Sequence, residues 1–196
     1  MDKEAIRKKL SKHKPLRVND ERFKRSAVLM PLFMKNGEWH VLFTLRSANL
    51  PTHKSQISFP GGGLEEGEKA LDAALRESKE EMGIESEDVD VLGRLDEITT
   101  ITKYRITPFV GVIPYPYNFT VNTAEIAEVI ELPLEMFLNP KVFRKDESWT
   151  FNDSRYAVYF FDVAGYTIWG ATAKILKQFL EVAMDWVEPG GAPHHH

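Results

Sequence analysis

Residues 62–84, from Gly62 to Ile84, read GGLEEGEKALDAALRESKEEMGI. Gly61, Gly62 and Gly63 follow Pro60, and residues without a Cβ let a backbone turn sharply and lie close to a ligand. After Gly67 no Gly or Pro interrupts the chain until Gly83, so a helix is predicted from about Glu68 to Met82, stopped at Gly83. Leu71, Ala74, Leu75, Ser78 and Met82 fall on one stripe of that helix, which should face the core. Glu77, Glu80 and Glu81 stand three and four residues apart and share a patch. Like charges so close raise one another's pKa, and a hard cation such as Mg2+ or Mn2+ relieves the repulsion through oxygen ligands. A glutamate run on a helix is most often a solvated face. Here the carboxylates come with a fixed spacing and a preceding glycine cluster, which a solvated face does not require.

That spacing, G-x5-E-x7-R-E-U-x-E-E-x-G-U with U bulky and apolar, resembles the Nudix box, the loop–helix signature of hydrolases that cut diphosphates linked to another moiety. Gly62, Glu68, Arg76, Glu77, Glu80, Glu81, Gly83 and Ile84 match, and Ser78 departs where an apolar residue is asked for. The resemblance implies an α/β (α+β) fold, an α/β/α sandwich with a central mixed β-sheet and the box at its rim. It implies Mg2+ or Mn2+ as cofactor, held by Glu77, Glu80 and Glu81 with a backbone carbonyl from Gly61 or Gly62. Arg76 would position the glutamates with Glu68 as its partner. The general base would be a box glutamate or a later acid, Glu125 ahead of Glu128.

The flank narrows the substrate. Leu42 to Gly62 reads LFTLRSANLPTHKSQISFPGG, similar to the extended motif L-L-T-x-R-S-x-x-L-R-x-H-x-G-Q-V-x-F-P-G-G of coenzyme A pyrophosphatases. Pro51 replaces an arginine of that motif and Ser55 a glycine. Glu125-Ile126 with Leu132-Pro133-Leu134, and Trp169-Gly170-Ala171-Thr172-Ala173, resemble later segments of the same subfamily, so the likeness spans residues 26–182. It implies hydrolysis of coenzyme A and its derivatives to 3′,5′-ADP and 4′-phosphopantetheine, with Arg46 and His53 near the substrate. Outside that context Arg46 is an ordinary strand-end charge and His53 an ordinary loop histidine. Lys103 and Arg105 are further cations that an anionic substrate could meet, against the commoner reading as solvated charges. Trp169 is expected to pack in the core. Alternatives are a Nudix pyrophosphatase for ADP-ribose, nucleotide sugars or dinucleoside polyphosphates, and a Nudix-fold binding module without catalysis. The intact Glu77, Glu80 and Glu81 speak against the module.

The rest of the chain bounds these readings. Its 196 residues suit one main domain, and 43% apolar with 28% charged residues is ordinary globular composition. A net charge of −4 gives no reason to expect nucleic-acid binding through a basic surface. No apolar run is long enough to span a bilayer, and the resemblance implies a small nucleotide-diphosphate substrate as partner, with a homodimer open. The absence of cysteine removes thiolate metal sites and cysteine nucleophiles and is compatible with a cytoplasmic location. Residues 1–25 are expected to form a helical extension packing through Ala5, Ile6 and Leu10, residues 26–188 the Nudix domain, and residues 189–196 a linker and histidine tag.

Strands are expected at Ser26–Met34 and Trp39–Leu45 as a hairpin, at Gln56–Phe59, Val89–Leu95 and Ile98–Thr102, and at Ile106–Ile113 with an irregularity near Pro108. Further strands are expected at Glu125–Glu131, Val142–Phe151 and Tyr156–Val163. Pro133–Leu138 reads as a brief helix beginning near Pro133, and Thr172–Trp186 as a C-terminal helix.

Overall fold

The computed structural model describes residues 1–49, 55–151 and 153–190. Its centre is strand β1 (Lys24–Lys35), whose run AVLMPLF is apolar toward both faces and therefore buried on both. β2 (Glu38–Arg46) follows through Asn36 and Gly37, both at positive φ (53° and 80°), the two-residue turn whose twist matches a hairpin. Parallel to β1 runs β7 (Tyr104–Val112), flanked by β5 (Asp90–Arg94) and β6 (Ile98–Thr99). On the other side β2 pairs with β3 (Ile57–Ser58) and β8 (Ile126–Pro133). One parallel pairing among antiparallel ones makes the mixed sheet.

β1 changes partner along its length. Residues Ser26–Val28 pair with β4 (Gly61–Gly63), and Leu32–Lys35 with β2. Pro31, which has no N–H to give a ladder, stands between the two pairings. The glycine run expected as a loop is thus an edge-to-centre strand.

Alternation along β1 assigns its two faces. Met30 and Leu32 point with Val41, Phe43 and Val110 into the larger core, beneath α1 (Lys3–Lys12) and α3 (Gly170–Met184). Ala27 and Leu29 point the other way with Phe109, and α2 (Ala70–Met82) seats Ala73 and Ala74 on them. α1 is capped by the Asp2 carboxylate, which accepts the Ala5 N–H, and buries Ile6 and Leu10 in the same core as α3. In the C-terminal region β9 (Phe143–Phe151), β10 (Ser154–Val163) and β11 (Tyr166–Trp169) form a separate antiparallel sheet, which sends Phe143, Phe161 and Ile168 inward toward α3.

Several expected details change. α2 begins at Ala70, so Glu68 lies outside the helix. Pro133 ends β8 and caps the 3-10 turn Leu134–Leu138 instead of opening a helix. β7 runs through Pro108 in regular register with β1, and the irregularity of this region is a bulge between Val91 and Gly93 of β5, opposite Val110 and Gly111. β11 has no counterpart in the sequence reading, and Trp169 at its end is exposed, not core.

Candidate active site

α2 ends as the sequence requires. Gly83 adopts φ 70°, and the N–H groups of Gly83 and Ile84 donate to the carbonyls of Lys79 (2.8 Å) and Ser78 (3.4 Å), closing the last turn. The stripe that seats the helix differs from the expected one. Ala73 and Glu81 are buried on it, while Leu71 and Leu75 are only partly covered. Ser78 is fully buried, and its hydroxyl donates to the Ala74 carbonyl at 2.7 Å, so this polar residue is satisfied in an apolar position.

Two glycines let β4 lie close to its neighbours, Gly61 against β1 and Gly62 against α2. A Cβ on Gly61 would lie 2.3 Å from the Ala27 carbonyl oxygen, and one on Gly62 would lie 2.5 Å from the Glu77 carboxyl carbon. The Gly61 N–H donates to Glu81 Oε2 at 3.3 Å. Arg46, at the end of β2, brings Nη1 to 3.8 Å from Glu81 Oε1. Glu81 is only 3% exposed. Burial is the main reason its pKa is pushed up to about 8; the Gly61 N–H and Arg46 oppose the shift, and the charges of Glu77 and Glu125 add to it. Glu77 is raised as well, again chiefly by burial, against the pull of Arg76.

Arg76 organises the other carboxylates. Its Nε lies 2.9 Å from Glu68, its Nη1 2.8 Å from Glu77 and 3.3 Å from Glu80, and its Nη2 donates to the Gly63 carbonyl at 3.0 Å. Glu68 also accepts the Glu65 N–H at 2.8 Å, and these bonds hold its pKa below the usual range, that of Arg76 first. Glu80 is well exposed and turned to Arg76. Among the described residues no three acidic or histidine side chains are drawn together at metal-holding distance.

Glu125 reaches this region through a connection that spacing alone does not reveal. The Asn122 N–H donates to the Glu81 carbonyl at 2.9 Å, and its side-chain amide donates to Glu125 Oε1 at 3.3 Å. The Glu125 carbonyl accepts the Ser47 N–H at 2.8 Å, next to Arg46. Asn122 was not among the sequence candidates; it is forty-one positions from Glu81 and sits in no periodic pattern. Glu128, the second later acid, accepts the Tyr166 hydroxyl at 2.6 Å on the exposed side of β8. Arg105 is taken up by the Val18 carbonyl and by Glu97 (3.9 Å), and Lys103 lies over the Phe23 ring. His53 lies outside the described residues. The Nε of Arg46 is buried and has no hydrogen-bond partner among them.

The arrangement is a buried carboxylate and a second half-buried one facing a glycine strand, with a third on the same helix end at the surface and turned to Arg76. An unsatisfied guanidinium nitrogen and a later carboxylate stand beside it. Such a donor set suits a hard cation together with an anionic ligand.

Residues 23–151 match the NUDIX domain family. The chain is 37% identical over 161 residues to the chloroplastic Nudix hydrolase 22 of Arabidopsis thaliana, covering 78% of this chain and 53% of that protein. It is 35% identical to the uncharacterized Nudix hydrolase NudL of Citrobacter koseri, covering 82% of this chain and 84% of the relative. The corresponding NudL of Photorhabdus laumondii is 34% identical, covering 85% and 88%. The chain therefore spans about half the length of the plant relative and most of the two bacterial ones. In fold it is similar to a MutT/nudix family protein from Enterococcus faecalis (TM-score 0.53, 14% identity, 89% of this chain and 66% of that one). It is also similar to DR0079 from Deinococcus radiodurans (TM-score 0.52, 16% identity, 81% and 86%). The glycine strand, the capped helix with its ordered carboxylates and these likenesses agree: the chain belongs to the Nudix hydrolase family.

Proposed function

We infer that this protein hydrolyses the phosphoanhydride of nucleoside diphosphate-linked compounds, coenzyme A foremost, giving 3′,5′-ADP and 4′-phosphopantetheine. The observation that carries the reading is Glu81. Its carboxylate is buried between the Gly61 N–H and Arg46 and raised in pKa, so it lacks a full counter-charge that a divalent cation would supply.

Glu77, Glu80 and Glu81, with a carbonyl of Gly61 or Gly62, would hold Mg2+ or Mn2+. When bound, such an ion neutralises charge on diphosphate oxygens and lowers the pKa of water. The chain's own groups do the rest. Arg46 offers its unpartnered Nε to a phosphoryl oxygen, where an in-place cation stabilises developing charge. Arg76 and Glu68 keep Glu77 in position. Glu125, anchored by Asn122, accepts the proton of the attacking water.

Coenzyme A is favoured by the flank. Two of its matched residues have side-chain roles in this fold: the Thr44 hydroxyl donates to the Ser58 carbonyl at 3.1 Å and joins β2 to β3, and the Ser47 hydroxyl accepts the Asn49 N–H at 3.3 Å. Pro51, in place of an arginine, favours the second reading, in which ADP-ribose, a nucleotide sugar or a dinucleoside polyphosphate is the substrate. The test is a panel of coenzyme A, ADP-ribose, NADH, a nucleotide sugar and a dinucleoside polyphosphate, run with Mg2+ and with Mn2+, products identified by mass. Coenzyme A should show the highest kcat/KM. No divalent-dependent cleavage of any member would overturn the hydrolytic reading.

A further inference from the structure

A pocket of about 280 Å³ opens between the end of the mixed sheet and the start of α3. Its floor includes Ile57 and Ile98, which belong to the core on the α3 side of the sheet. One wall is Gln56, whose carbonyl accepts the Arg46 N–H at 3.0 Å. The pocket therefore adjoins the backbone at the end of β2, whose Arg46 sends its guanidinium to Glu81 on the α2 side of the sheet.

The opposite wall is aromatic and comes from the second sheet. Trp149 is the cross-strand partner of Tyr156, and Trp169 of Phe160. The two indoles lie 6.4 Å apart, and Phe160 stacks on Trp169 at 6.5 Å. Trp149, Tyr156 and Trp169 are 43%, 41% and 37% exposed. Large aromatic rings left open around a concave, mostly apolar space are the usual lining of a site for a flat ligand. The same pocket contains Lys174. Among the described residues Lys174 has no carboxylate partner. Part of the residue reaches solvent, yet burial first and Lys177 second hold its ammonium below the usual lysine pKa.

We propose that this pocket takes the purine nucleoside of the substrate, its base against Trp149 and Trp169, with Lys174 binding an anionic substituent on the ribose. A nucleoside whose 5′-diphosphate extends past Gln56 to Arg46 and the carboxylates leaves its 3′ position on the pocket side. An unpaired ammonium there matches a 3′-phosphate. Lys174 would then be the residue that separates 3′-phosphorylated substrates from those with a free ribose. The proposal rests on the hydrolytic reading above for the direction in which the diphosphate runs.

The experiment is a titration of the protein with adenosine 3′,5′-bisphosphate, adenosine 5′-monophosphate and pantetheine, followed by tryptophan emission and calorimetry. The bisphosphate should saturate and quench. Trp149→Leu and Trp169→Leu should each weaken both nucleotides ~10-fold, as loss of a stacking partner does. Lys174→Gln, a surface change that leaves the core intact, should weaken the bisphosphate ~10-fold and leave the monophosphate unchanged. Equal affinities in all three variants, or binding of pantetheine in place of nucleotide, would overturn the proposal. Binding in the expected pattern without cleavage of any diphosphate removes the hydrolytic reading and leaves the pocket assigned. Cleavage of coenzyme A with KM unchanged in all three variants does the reverse.

Discussion

The carboxyl carbon of Glu77 lies 2.5 Å from the point where a side chain on Gly62 would begin. A methyl group there would occupy the place of the Glu77 carboxylate, which would have to move. Gly62→Ala should displace Glu77 and, through Arg76, the Glu80 carboxylate bonded to the same guanidinium nitrogen. Activity against the best diphosphate substrate should fall ~10–100-fold, the range seen when groups that orient a metal ligand are moved. Wild-type kcat at raised Mn2+ would show that Glu77 had not shifted.

Glu81 makes a separate prediction about pH. Its carboxyl is raised to about 8 in the folded protein, against 4.5 for the free group. The folded state therefore binds its proton more tightly than the unfolded state. The stability this contributes is fully present below the unfolded value and is lost as pH rises through the folded one. With metal removed by chelator, wild-type Tm should decline from pH 5 to pH 8 relative to Glu81→Gln, by ~5 °C or more in a chain of this size. Added Mg2+ or Mn2+ should restore the wild type at pH 8 and do nothing for the variant, which should also be inactive. Parallel melting curves for the two proteins in chelator would contradict the buried, protonated carboxylate.

Arg46 is expected to act on substrate more than on the fold. Arg46→Ala removes the cation facing Glu81 and the unpartnered nitrogen beside it. kcat/KM should drop ~100-fold or more, as when a donor to transition-state charge is deleted. Arg46→Lys should recover little of it, because an ammonium cannot reproduce the planar donor fork. Steady-state kinetics on the wild type and both variants decides this, and near-normal activity in Arg46→Ala would place phosphate recognition elsewhere.

Ser78 is where the box pattern asks for a bulky residue. Here the position is fully buried and the hydroxyl is satisfied by Ala74. Ser78→Leu should overpack the helix against the sheet and cost ~1–3 kcal/mol in urea unfolding, while Ser78→Ala should stay close to wild type. A more stable leucine variant would show that the core around α2 holds unfilled space.

The periodic parts of this molecule are legible in its sequence. β1 and β2 are apolar runs joined by an Asn-Gly turn, and α2 carries regular spacing closed by Gly83. In the site, the pairing of Arg76 with Glu68 could be anticipated from the motif. What escaped is non-local. Nothing near Gly61–Gly63 says that these residues pair with Ser26–Val28, because glycine has little strand preference and the pairing is set by the distant partner. Asn122 fastens Glu125 to the end of α2 through one backbone and one side-chain bond, which no spacing rule describes. Trp169 looked like core because it is large and apolar; β11 turns it outward beside Trp149, a consequence of sheet register that the local sequence does not carry.

The partner change along β1 has a consequence for how this protein can vary. The strand that holds Gly61 and Gly62 under the carboxylates is the same strand that runs parallel to β7 and anchors β2. Loosening the rim means opening the middle of the sheet, so amide exchange at Ala27, Gly62 and Leu29 should be among the slowest in the chain. The second sheet shares the core through Phe143, Phe161 and Ile168, but the exposed pocket rings Trp149, Tyr156 and Trp169 carry less of that load. The carboxylate site is tied to the stability of the sheet, whereas the exposed rings of the pocket can vary, residue by residue, with less effect on the fold.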